Sequence, residues 1–96
     1  VTGLKIRNVK NDSESVIRTD GVFIAVGLVP NTERFQELVA LDKGGYIIAG
    51  EEGITQTPGV FAAGDIRTKK LRQVVTAVAD GANAVASAQH YLMTNK

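Results

Sequence analysis

An α/β fold, or α+β for the chain as an isolated piece, is predicted by three observations. Residues near the N-terminus alternate apolar and polar side chains, two unbroken apolar runs (residues 22–26 and 60–63) are punctuated by glycine, and one alanine-rich stretch free of proline runs from Arg72 to about Met93. Alternation is the period of a half-buried strand, an unbroken β-branched run fits a strand buried on both faces as in a parallel sheet, and a long proline-free run fits a helix. At 96 residues the chain has room for one compact domain, able to bury roughly two-thirds of its unfolded surface.

From Leu4 to Val9 apolar residues alternate with Lys5, Arg7 and Asn8, which predicts a first strand with its basic side chains on the wet face. Residues 10–15 are turn formers, and residues 16–19 read as a second strand, closing an antiparallel hairpin. After Asp20-Gly21 comes the run Val22-Phe23-Ile24-Ala25-Val26, ended by Gly27 and expected as a buried strand. Leu28-Val29-Pro30-Asn31-Thr32 leaves it, with Asn31 or Thr32 placed to cap a short helical turn through Glu33, Arg34, Phe35 and Leu38. Gly44, Gly45, Gly50 and Gly53 frame two short strands, Tyr46-Ile47-Ile48 and Ile54-Thr55. Pro58-Gly59 turns the chain into a further buried strand, residues 60–63, and residues 66–70 form a loop. On the last helix Ala77, Gly81 and Ala88 share one face, with Val74, Val78, Val85 and Leu92 as an adjoining stripe. Small residues at that spacing permit close approach to a sheet or cofactor, while alanine is also simply a good helix former.

Composition narrows the function classes. Apolar residues at 44% and charged residues at 22% are globular proportions and argue against a disordered tail. A net charge of +1 gives no electrostatic reason to expect nucleic acid or an anionic membrane as partner. Without cysteine the chain makes no disulfide, thiolate metal site or redox dithiol of its own. No apolar run approaches the roughly 20 residues of a membrane span, and with no signal peptide visible the expected compartment is the cytoplasm. The chain opens with Val1 in what reads as mid-strand, which leads to the expectation that it is a piece of something longer.

Three motifs could carry chemistry. The junction Pro58-Gly59-Val60-Phe61-Ala62-Ala63-Gly64-Asp65 delivers small residues and one carboxylate at the end of a strand, where open α/β sheets place their ligands. Ala62, Ala63 and Gly64 would let a flat ligand lie on the backbone, and Asp65 could accept hydrogen bonds from hydroxyls; an aspartate capping a turn is the plainer alternative. Arg72-Gln73-Val74-Val75-Thr76-Ala77 opens the long helix, whose free amides and positive dipole end favour a ligand atom that gains negative charge. Gly27-Leu28-Val29-Pro30-Asn31-Thr32 suits a crossing between domains, or an ordinary exit from a strand. There is no G-x-G-x-x-G, P-loop or C-x-x-C, and His90, the sole histidine, reads as a helix-surface or packing residue.

Together and in this order, the three motifs resemble the C-terminal third of bacterial low-molecular-weight thioredoxin reductases, FAD- and NAD(P)-dependent members of the pyridine nucleotide-disulfide oxidoreductases, over essentially the whole chain. The resemblance implies that residues 1–27 are the end of an NADPH-binding domain and residues 28–96 the C-terminal part of an FAD-binding domain. It implies that Asp65 binds the ribityl or pyrophosphate-side hydroxyls of FAD and that Arg72, Gln73 and Val74 approach the flavin, with backbone amides at its pyrimidine edge, while Gly64 and Ala77 complete the cofactor-binding set. A helix N-terminus aimed there would stabilise the charge of the reduced flavin. No catalytic residue and no metal ligand is expected in this segment, since the family's glycine-rich loops and its C-x-x-C have no counterpart in the sequence, so the chain alone is expected to be inactive. The resemblance further implies thioredoxin or a similar dithiol protein as the parent's partner, and a homodimer or a self-associating piece. A related flavoprotein disulfide or ferredoxin reductase, and a free-standing assembly module without catalysis, are the alternatives.

Overall fold

The computed structural model describes residues 1–95, in an elongated arrangement of about 66 × 27 × 20 Å. Strands β1 (Leu4–Arg7) and β2 (Glu14–Ile17) form an antiparallel hairpin in which Leu4 faces Ile17 and Arg7 faces Glu14. Its loop closes because the Asn8 N–H donates to the Ser13 carbonyl at 2.8 Å, the Asp12 N–H donates to the Asn8 carbonyl at 2.8 Å, and the Asn8 and Asn11 side chains accept from the next turn of backbone. The expected hairpin is therefore present, with its second strand starting two residues earlier than the sequence suggests. Both of its faces are exposed, so its alternating pattern finds no core among the described residues.

Residues 22–26 differ from expectation: they form no strand, and Phe23 is 98% exposed and Val26 92%. A strand buried on both faces needs neighbours along both edges and layers on both sides. None of the described residues supplies them, so the run stays unpaired. Gly27 takes φ +114° at its end. Among the described residues no hydrogen bond or ion pair joins residues 1–27 to residues 28–95.

The core lies in the second part of the chain. Val39, Ile47, Ala49 and Ala62 are buried together, with Leu41, Val60 and Ile66 packed at their margin. The short strands expected here are reduced to single bridges: Leu41 with Ile47 and Ile54 with Phe61, both antiparallel, and Ile47 with Arg67, parallel. Residues 60–63 likewise form a bridge rather than a strand; Ala62 is buried and its neighbours are half-buried. Side-chain hydroxyls take over where ladders are missing. Thr32, fully buried, donates from Oγ1 to the Gly45 carbonyl at 2.6 Å, and Thr57 Oγ1 donates to the Leu38 carbonyl. Thr32 also stands before the 3-10 turn Glu33–Phe35, but its hydroxyl serves the distant loop and makes no cap bond.

Helix α1 (Val74–Thr94) follows the expected stretch and starts after Gln73. Ala77, Asp80, Gly81, Ala84, Ser87, Ala88 and Tyr91 turn toward the core, and Ser87 Oγ donates to the Glu52 carbonyl at 2.8 Å. The edge of the Tyr91 ring meets Phe61 at 6.1 Å between centroids. Small residues on that face bring the helix close, and at Gly53 the packing leaves no room for a side chain. Gly53 has φ +70°, and a Cβ there would stand 2.7 Å from the Ala62 carbonyl oxygen and 3.2 Å from the Ala84 Cβ. The stripe of Val74, Val78, Val85 and Leu92 points to solvent, Val74 being 82% exposed.

Replacing Gly53 with alanine should therefore both strain the backbone and push the helix off the core. A loss of about 1–3 kcal/mol is expected in chemical denaturation of the protein carrying this segment, whereas Gly50→Ala, where nothing lies within 4 Å, should be far milder.

Candidate functional site

The bridge at Phe61 leads through buried Ala62 and extended Ala63 into a 3-10 turn, Gly64–Ile66. Gly64 holds φ +82°, a conformation that favours glycine, and the Ala77 Cβ lies 3.7 Å from where a Gly64 Cβ would be. Smallness on both sides thus lets the turn rest against the first turns of α1. Asp65 follows on the exposed side, and among the described residues its carboxylate engages no protein group.

At the helix start Gln73 is extended (φ −141°, ψ 156°), and its N–H donates to Thr76 Oγ1 at 3.1 Å. The Val74 and Val75 N–H groups have no protein acceptor among the described residues, as expected at the first positions of a helix. They carry the positive end of a 21-residue helix. Just before it, the Arg72 guanidinium lies 3.9 Å above the Tyr46 ring centroid, and its Nε donates to the Asp65 carbonyl at 3.1 Å. Gly64, Asp65, Arg72 and Ala77 are therefore brought together; Gln73 and Val74 stand beside them with exposed side chains, offering backbone rather than side-chain chemistry. A groove of about 270 Å³ borders the cluster, walled by Leu28, Pro30, Asn31, Tyr46, Asp65 and Arg72 among others.

Sequence reasoning missed the groups that hold this turn. Asp80, 5% exposed in the second turn of α1, accepts from Arg67 through both oxygens, Nε to Oδ2 and Nη2 to Oδ1, each at 2.7 Å. The same Oδ2 accepts from Lys69 Nζ at 2.8 Å and from the Gly64 N–H at 3.0 Å. One carboxylate thus gathers two cations and the backbone of the Gly-Asp turn. The Arg67 Nη1 donates onward to the Thr68 carbonyl at 2.9 Å, and no buried side-chain polar atom is left without a partner among the described residues. A signal existed: Asp80 lies three residues after Ala77 on its face of a helix of small side chains, where an acid with no cation would be costly. The basic loop Arg67-Thr68-Lys69-Lys70 supplied the cations, but only the fold brings the two together.

The Arg67 and then the Lys69 hydrogen bonds hold the Asp80 carboxyl well below the usual carboxylate range, against the desolvation that would raise it. The bond to Asp80 likewise raises the Arg67 guanidinium further above its ordinary value. Among the described residues no group of three or more His, Asp or Glu side chains could hold a metal ion, and no helix is long and apolar enough to cross a membrane.

A small-residue turn with a free carboxylate thus stands against the open start of a long helix. The chain belongs to the pyridine nucleotide-disulphide oxidoreductase family, whose model matches residues 1–81. It is 52% identical over 92 residues to the thioredoxin reductase of Listeria monocytogenes, covering 96% of this chain and 29% of that protein. It is 36% identical over 95 residues to an alkyl hydroperoxide reductase protein of Staphylococcus epidermidis, covering 99% of this chain and 19% of that one. The crystal structure of thioredoxin reductase from Streptococcus pyogenes superposes with a TM-score of 0.79 at 42% identity, covering 97% of this chain and 30% of its own. The resemblance read from the three motifs is borne out, and the chain spans less than a third of the length of these relatives.

Removing the Asp80 carboxylate would leave two buried cations and the Gly64 N–H without their acceptor. Asp80→Ala should destabilise the protein by about 3–5 kcal/mol, measured by urea denaturation at neutral pH. Because its folded pKa is depressed, the contribution of Asp80 is complete above the ordinary carboxylate value of roughly 4 and falls away as pH drops below it. The stability difference between the native protein and the alanine variant should therefore shrink progressively below about pH 4.

Proposed function

We propose that this chain supplies one wall of the FAD site in an FAD-dependent, NADPH-using thioredoxin-disulfide reductase. The observation that carries the reading is the approach of Gly64 to Ala77, which brings the turn bearing the unengaged Asp65 carboxylate against the first turns of α1, where the Val74 and Val75 N–H groups are free. The donor set fits the cofactor. A carboxylate with open acceptor positions suits ribityl or pyrophosphate-side hydroxyls. Two free amides at a helix N-terminus suit the electron-rich pyrimidine edge of a flavin, and Ala63 and Gly64 leave a flat ring access to the backbone.

When bound, FAD supplies the hydride chemistry. The chain's own residues do the rest: Asp65 accepts from the cofactor's hydroxyls and fixes its position. The start of α1 places partial positive charge where negative charge accumulates on reduction, and it needs no reorganisation to do so. Arg72 and Gln73 set the entry of that helix, and Ala77 keeps it close to Gly64. None of these residues transfers a proton or forms a covalent bond, so the segment alone is not catalytic.

In this reading residues 1–27 close the NAD(P)H-binding domain and residues 28–96 belong to the FAD-binding domain. The parent works in the cytoplasm and passes electrons to thioredoxin or a similar dithiol protein. The exposed run of residues 22–26 and the apolar stripe of α1 are then surfaces met by the rest of the reductase or by a second copy. Higher identity to thioredoxin reductase than to alkyl hydroperoxide reductase supports the first as the parent activity.

The test is Asp65→Ala in the full-length reductase that carries this segment. FAD affinity should weaken by about tenfold or more, the order expected for losing hydrogen bonds to a charged acceptor, and the purified protein should carry less flavin per chain. Unchanged flavin content and turnover would reject the assignment.

A further inference from the structure

Tyr46 lies on a loop with no place in the three motifs, yet the structure sets its ring under Arg72. Its position is fixed from behind. Asp42 Oδ1 accepts from the Gly44 N–H at 2.8 Å and from the Tyr46 N–H at 2.9 Å, while the Tyr46 carbonyl accepts from the Asp42 N–H at 2.8 Å. The backbone that carries the ring is therefore anchored. Arg72 rests on it at 3.9 Å and reaches two carbonyls, that of Asp65 from Nε at 3.1 Å and that of Arg67 from Nη2 at 3.5 Å.

This placement is not what helix electrostatics alone would select. A cation just ahead of a helix N-terminus meets the positive end of the dipole, and among the described residues Arg72 has no carboxylate partner. The π-face of Tyr46 and the two carbonyls are what hold it there. Its span is also informative: one guanidinium ties the loop bearing Tyr46, the turn bearing Asp65 and the entry to α1 into a single unit.

We propose that Tyr46 is a positioning residue for cofactor binding, holding Arg72 so that the Asp65 turn and the open start of α1 keep a fixed separation. The inference rests on the FAD reading above. Tyr46 acts through its ring face and not through its hydroxyl, for which the structure gives no hydrogen bond among the described residues.

The experiment uses the full-length reductase, with FAD titrated into the apoprotein and thermal midpoints recorded for each variant. Tyr46→Phe keeps the ring and should bind FAD as the native protein does. Tyr46→Leu keeps bulk without the π-face and should weaken FAD binding roughly fivefold, the order of a partly exposed cation–π contact, with the apoprotein midpoint little changed. Arg72→Met should weaken binding at least as much, and adding Tyr46→Leu to it should cost nothing further, because both remove the same support.

Equal FAD affinity in Tyr46→Leu and the native protein would overturn the proposal while Asp65→Ala still lost flavin, leaving the FAD reading intact. Loss of affinity in Tyr46→Phe as great as in Tyr46→Leu would also overturn it, by assigning the effect to the hydroxyl. A fall in affinity matched by an equal collapse of the apoprotein midpoint would do the same, by reducing Tyr46 to a general stabiliser. Should Asp65→Ala retain full flavin, the FAD reading itself fails and this proposal with it.

Discussion

The buried Asp80 carboxylate is the constraint on which the rest of the site depends. Helix α1 has little apolar surface to offer the core, because the residues it turns inward are mostly alanine, glycine and serine. Such a face approaches closely but gains little from burial, so close packing alone does not fix where the helix lies along the turn. Asp80 does so by direction. Its two oxygens meet the fork of Arg67, and the second also meets Lys69 and the Gly64 amide, so sliding the helix by one turn would break four bonds together. Buried charge is costly, and the cost is tolerable here because every member is hydrogen-bonded.

That arrangement also explains the left-handed turn at Gly64. Glycine permits the conformation, but the Asp80 acceptor selects it by taking the Gly64 N–H from the helix side. The following residue, Asp65, is then forced outward. Support comes from the opposite side as well, where Arg72 holds the Asp65 carbonyl from its seat on Tyr46. A short turn bridged to its surroundings by one residue pair would be mobile. Clamped from the helix interior and from the Tyr46 loop, it holds the Asp65 backbone in one place.

Sequence reasoning reached those features whose causes are local. The hairpin follows from alternation and turn residues, the long helix from a run without proline, and Gly64 and Asp65 from a small-residue junction. What it lost depends on partners distant in the chain. Residues 22–26 have the pattern of a strand buried on both faces, and pattern reports the burial a sequence is suited to rather than the neighbours at hand. Residues 46–48, 54–55 and 60–63 fail as full strands for the same reason, since a bridge becomes a ladder only when adjacent strands extend it. The pairings of Asp80 and Tyr46 were out of reach for a different reason. Their partners lie 13 and 26 residues away, at Arg67 and Arg72, and no periodicity marks a charge pair or a cation on a ring.

The two clamps differ in kind, and the difference bears on what each can do. Asp80, Arg67 and Lys69 are buried and nearly dry, so their attraction is strong and weakly screened by salt, and removing Asp80 breaks both ion pairs together. Tyr46 and Arg72 are half-buried, so their contact is weaker and adjustable. The first decides whether the Gly-Asp turn and the helix exist in this relation at all. The second sets the finer placement of Asp65 against the open amides of Val74 and Val75, the dimension on which recognition of a ligand spanning both would depend. In the proposed arrangement a change at Tyr46 would shift that placement while the Asp80 cluster still held the Gly64 amide and the helix together.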